Sequence, residues 1–173
     1  LGLETEELNL GRSWARWNFS GYEARTGDAS GGGWDELRAF TATLEVVAEE
    51  HGCGRLMWEY NKDLTRYGTP MSLMLIPLWT DGCVGSMEGL YFESSTTTPF
   101  HFLVQSELSV GPSRAQRFLP YRGFTLEQGL DHLQQLGVPY YAAFSERPVR
   151  EARAHPGYTE VANSGPWTIF LVA

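Results

Sequence analysis

The residues able to do chemistry are concentrated between Cys53 and Glu93, a stretch that holds both cysteines and the polar set Glu59, Arg66, Asp81, Glu88 and Glu93. Glu88 and Glu93 form the first pair to consider. Two carboxylates about 5–9 Å apart can cleave a glycosidic bond, one as acid and the other as nucleophile or base. A separation of five residues neither requires nor forbids that distance. Acidic residues in loops are most often simply solvated. Asp81 and Glu59 could extend the cluster toward Ca²⁺, but no loop has the alternating-oxygen spacing of a calcium site. The histidines, His51, His101, His132 and His155, are scattered, and neither HxH nor HExxH occurs. His101, between Phe100 and Phe102, is the one in a suggestive setting, although a packed and hydrogen-bonded role accounts for it as well. Gly85-Ser86-Met87-Glu88-Gly89 misses the GxSxG elbow by one position. No GxGxxG follows a strand, and Gly27 to Gly33 lacks the GK[ST] of a phosphate loop. The expectation is therefore no cofactor and no metal, with catalytic residues unassigned.

Cys53 and Cys83 each sit beside glycine at the ends of predicted elements. An even count in such settings suits a disulfide in an oxidising compartment. Closing that loop would contribute roughly 3–4 kcal/mol in the chain-entropy model. Two buried thiols in a reducing compartment are the alternative. No CxxC pair is present to suggest zinc.

The elements that must position these residues can be read from periodicity. Trp34, Leu37, Phe40, Leu44 and Val47 share one helical face, with acids in the first turn and Gly52 as stop. Arg55 to Tyr60 then reads as a buried strand. Asn61 to Pro70 reads as loop. Met71 to Trp79 is apolar without a period that separates helix from strand, and Pro77 predicts a break near Ile76. Thr80-Asp81-Gly82 is a turn, and Val84 to Phe92 is loop with some extended structure. Thr98 and Pro99 predict a helix start, with its body over Phe100 to Leu108. Gly111 to Tyr121 is loop. Thr125 and Gln128 form a capping-box pattern ahead of Leu126, Leu130, Leu133 and Leu136. Val138 to Phe144 is the next strand, and Ser145 predicts the cap of a short helix over Pro148 to Ala154. Tyr158 to Ala162 and Trp167 to Val172 close the chain as paired strands. The order predicts an α/β fold: a single-domain mixed sheet flanked by helices, with a C-terminal β-hairpin. Residues 1–33 form an N-terminal arm and Gly-rich connector, and residues 34–173 the α/β domain. In the arm, Trp14 and Trp17 could stack on sugar rings or pack as a lid. Asn18-Phe19-Ser20 fits the glycosylation acceptor pattern, which is frequent by chance.

The chain has 173 residues, 42% hydrophobic, long enough for a buried core. Its net charge of −8, from 21 acidic and 13 basic residues, argues against a nucleic-acid binder and against a polybasic face on anionic lipid. No run is long and apolar enough to span a bilayer. A start at Leu1 and an apolar final run are expected of a piece of a longer protein.

The phrases GCGRLMWEY, YGTPMSLMLIPLWTDGC, GSMEGLYFESSTTTPFHF and LGVPYYAAFS…VANSGPWTIFLV resemble those of large actinobacterial integral-membrane proteins. These are similar to multi-spanning, lipid-linked-sugar glycosyltransferases, and some carry the label 6-pyruvoyl-tetrahydropterin synthase-related. The resemblance covers roughly Trp17 to Val172. It implies a domain on the extracytoplasmic face of the cell membrane, whose partner is its own membrane-helix bundle. In similar transferases the catalytic acid lies between early membrane helices, so none carries over to this chain. The pterin label implies no chemistry here, because that enzyme's three-histidine zinc pattern is not visible. The expected function is that of an accessory domain that binds or positions a cell-envelope glycan. Ligand-binding candidates are Glu59, Arg66, Asp81, Glu88, Glu93, His101, Trp14 and Trp17. The alternatives are a glycoside hydrolase using Glu88 and Glu93, and a purely structural or partner-docking domain.

Overall fold

The computed structural model describes residues 33–87 and 96–173. Trp14, Trp17, Asn18, Glu88 and Glu93, with most of the predicted arm and connector, lie outside the described residues.

The chain enters through helix α1 (Gly33–His51), whose first turn carries Asp35 and Glu36. Leu37, Phe40, Leu44 and Val47 form its buried stripe, as the 3.6-residue period predicts. Gly52, at φ +98°, turns the chain out of the helix, a conformation that favours glycine. Strand β1 (Gly54–Trp58) follows directly. Asn61 to Pro70 departs from the loop reading: Lys62–Tyr67 winds as a 3₁₀ helix, because Asn61 Oδ1 accepts from the Asp63 amide 2.9 Å away. The apolar run after it is helical. A 3₁₀ turn (Ser72–Leu75) leads into the short α2 (Ile76–Trp79), and Pro77 sits in the first turn of α2, where its missing N–H costs nothing. The break near Ile76 is thus a change of helix type.

Strand β2 (Val84–Ser86) is extended over three residues. Helix α3 (Thr98–Leu108) begins one residue earlier than expected, with Thr97 at the cap position and Thr97 Oγ1 donating to Met87 O at 2.7 Å. Helix α4 (Leu126–Gln135) keeps the predicted buried residues Leu126, Leu130 and Leu133, while Leu136 becomes its half-buried C-terminal cap. The predicted capping box does not form. Thr125 Oγ1 lies 2.9 Å from Gly123 O, and the Thr125 amide donates to Glu107 O at 2.9 Å, so α3 supplies the acceptor instead. Strand β3 (Tyr140–Ala143), helix α5 (Glu146–Ala154), β4 (Tyr158–Ser164) and β5 (Trp167–Val172) complete the chain.

The five strands form one mixed sheet in the order β2-β1-β3-β5-β4. β2 and β3 run parallel to β1 on either side of it, and β3, β5 and β4 pair antiparallel. Alternation along the strands divides the core in two. Leu56, Trp58, Tyr140, Ala142, Trp167 and Ile169 face α1 and the 3₁₀–α2 segment. Met57, Tyr141, Ala143 and Phe170 face α3, α4 and α5. The predicted mixed sheet, flanking helices and C-terminal hairpin are all present. Cys53 and Cys83 form a disulfide, Cα to Cα 4.7 Å, which ties the amino ends of β1 and β2. Among the described residues no helix is long and apolar enough to cross a membrane.

Candidate functional site

β1 lies between β2 and β3, and the chain leaves it over one face of the sheet and returns to β3 over the other. In open sheets such a reversal leaves a crevice outside the carboxyl ends of the parallel strands. Here those ends are Trp58-Glu59-Tyr60 and Ala143-Phe144-Ser145, linked by the Glu59 amide donating to Ala142 O at 2.8 Å.

Glu59 is 1% exposed. Its Oε2 accepts from the backbone amides of Phe144 and Ser145, each at 2.7 Å. Those amides lie just before α5, so a carboxyl one residue past β1 sits at the start of a helix whose own cap residue, Ser145, makes no side-chain capping bond. Burial pushes the Glu59 carboxyl above the ordinary value of 4.5, and the bonds from Ser145 and Phe144 oppose that shift without cancelling it. Glu59 Oε1, Gln105 Oε1 and Trp58 Nε1 are buried without a hydrogen-bond partner among the described residues.

A cavity of about 480 Å³ opens beside this junction. Its walls include Tyr60, Asn61, Lys62, Val110, Ser145 and Arg147. The polar groups of the wall are interlocked. Asn61 Nδ2 donates to Ser145 Oγ at 3.1 Å, while Asn61 Oδ1 holds the 3₁₀ turn. The Tyr60 amide donates to Ser109 Oγ at 2.8 Å, and Gln105 Nε2 to Trp58 O at 3.3 Å, fixing α3 across the end of β1.

The sequence candidates separate in space. His101 is buried in α3 with its ring 5.0 Å from that of Trp58, the residue before Glu59. Arg66 is a near neighbour on the other side of Phe144, 5.1 Å from that ring, and is engaged with Glu36 and Tyr67. Tyr67 OH donates to Glu36 and accepts from Trp167 Nε1 at 3.0 Å. Burial, then the Glu36 carboxylate, pushes the Tyr67 phenol up to about 12. Asp81, exposed at φ +48°, lies in the turn before β2 and so belongs to the amino end of the parallel strands with the disulfide. It does not join the crevice.

Asn61, Gln105, Ser109 and Ser145 were not sequence candidates for ligand binding. Ser145 carried a signal as a helix cap and Asn61 was read as loop, and nothing in one dimension placed them against each other. A second buried carboxylate was also missed. Glu107 Oε2 lies 2.6 Å from His132 Nδ1, and Arg122 Nη1 is 3.7 Å from Glu107 Oε1. These three line a separate cavity of about 360 Å³ between α3 and α4. No group of three His, Cys, Asp or Glu able to hold a metal occurs among the described residues.

No family model, curated protein or solved structure matches this chain. The reading of its function therefore rests on the crevice and on the disulfide.

Proposed function

We propose that this chain is an extracytoplasmic accessory domain of a glycosyltransferase-like membrane protein, and that it binds or positions a neutral cell-envelope glycan in the crevice at the carboxyl ends of β1 and β3. The observation that carries the reading is the interlocked polar wall of Asn61 and Ser145 beside a cavity of about 480 Å³. Concave sites with a few fixed polar groups are where small ligands bind. The start of α5 would attract an anion, but the Glu59 side chain already occupies the amides of Phe144 and Ser145 just before it. A hydroxyl-rich neutral ligand meets no such conflict. Tyr60 and Val110 supply apolar surface for a sugar ring. The disulfide supports placement in an oxidising compartment.

The test is NMR-monitored titration of the chain with arabinan, galactan and mannan fragments. Amide shifts clustered at Tyr60 to Lys62 and Ser145 to Arg147 are expected for one of them, and Asn61→Ala weakens binding about tenfold through the loss of a fixed wall. No shift for any fragment at millimolar concentration would remove the reading.

A further inference from the structure

The segment between Val110 and Phe124 contains Arg114, Arg117 and Arg122 and no acidic residue, in a chain of net charge −8. All three arginines are exposed. At its tip Phe118 is 101% exposed, the full solvation of a large aromatic side chain. Its backbone sits at φ +68°, and that of Arg114 at φ +48°, a strained choice for non-glycine residues. The tip is nonetheless tightly built. Tyr121 OH accepts from the Gln116 amide at 3.0 Å and donates to Gln116 O at 2.7 Å. The Tyr121 amide donates back to Leu119 O at 2.8 Å. One phenol thus closes a knuckle that presents Arg117, Phe118, Leu119 and Pro120 outward.

We propose that this knuckle is a membrane-docking surface, with Phe118 entering the interfacial layer of an anionic bilayer and Arg114 and Arg117 on its headgroup phosphates, while Arg122 stays paired with Glu107. A single projecting aromatic ringed by cations matches an interface whose headgroups are negative and whose first acyl layer is apolar. A protein partner of ordinary size would need a broader continuous apolar patch. The overall acidity does not oppose the contact, because charges farther off than about 8–10 Å are screened at physiological salt. Preorganisation by Tyr121 removes the ordering cost that a loose loop would carry. This inference stands apart from the glycan reading, which concerns the crevice beside α5.

Flotation with phosphatidylcholine vesicles, with and without roughly a third phosphatidylglycerol, tests it at about 0.1 M salt, where the distant acidic charges are screened. Binding is expected to the anionic vesicles only and to weaken with added salt. Phe118→Ser lowers the partition coefficient about tenfold, and Arg114→Ala and Arg117→Ala about fivefold each. Tyr121→Phe opens the knuckle while keeping every contacting group, and weakens binding with the circular dichroism spectrum unchanged. The proposal is overturned if the chain fails to float at millimolar lipid, or if these four variants float like the parent. Self-association lost in Phe118→Ser without any vesicle binding would also overturn it, assigning the knuckle to a second copy of the chain.

Discussion

Glu59 joins two elements through one oxygen, and its substitution separates charge from hydrogen bonding. Glu59→Gln keeps an acceptor for the Phe144 and Ser145 amides, whereas Glu59→Ala strands both. Urea denaturation is expected to show a loss of about 2–3 kcal/mol for the alanine variant and a much smaller change for glutamine. The carboxyl is held above 4.5 by burial, so folding favours its neutral form. The stabilisation from that form is complete below the unfolded value and is lost as pH rises through the folded one. The parent's advantage over Glu59→Gln should therefore shrink as pH rises above 4.5, by about 1.4 kcal/mol per unit of elevation. An advantage that stays flat or grows across this range would show that the carboxylate is not disfavoured by its burial.

At the scale of elements, the disulfide and the crevice occupy opposite ends of the parallel strands. Reduction is expected to lower stability by about 3 kcal/mol and to speed amide exchange in Val84–Ser86 while leaving Tyr140–Ala143 protected. The α3–α4 contact makes a second prediction. A Cβ on Gly129 would stand 2.4 Å from Leu108 Cδ2 and 2.8 Å from its Cγ, and Leu108 is fully buried. Gly129→Ala should cost about 1–3 kcal/mol by thermal melting, despite the better helix propensity of alanine. Most elements were legible because periodicity is a local property. The buried face of α1 and, except for Leu136, that of α4 followed from spacing, and β5 from its apolar run beyond a turn. The 3₁₀ segment Lys62–Tyr67 was not legible, since its polar residues suit a loop equally well. Nor was the buried polar face of α3, where His101, Gln105 and Glu107 meet partners from β1 and α4 and Ser106 bonds back to Leu103 O within the helix.

Across the whole molecule, the core is closed by buried phenols. Burial pushes Tyr67 up to about 12 and raises Tyr141 and Tyr158 well above the ordinary phenol value of 10. In the unfolded chain these groups ionise near 10, so the stability they confer is intact below that pH and falls as pH rises toward 12. Ultraviolet titration should show Tyr67, Tyr141 and Tyr158 ionising only as the near-ultraviolet circular dichroism collapses. Tyrosinate absorbance that completes while that spectrum persists would contradict the burial. Tyr67→Phe, which leaves the Trp167 indole N–H without its acceptor, is expected to cost about 1–2 kcal/mol in urea.

The sequence by itself determined the α/β class, the terminal hairpin and the two cysteines able to pair, because side-chain period and turn chemistry act over a few residues. The tertiary structure alone decided that Glu59 reaches the start of α5, that Asp81 sits at the far end of the sheet, and that Asn61 meets Ser145. Those outcomes depend on strand order and on the direction of each crossover. Residues 84 positions apart become neighbours only when β1 and β3 pair.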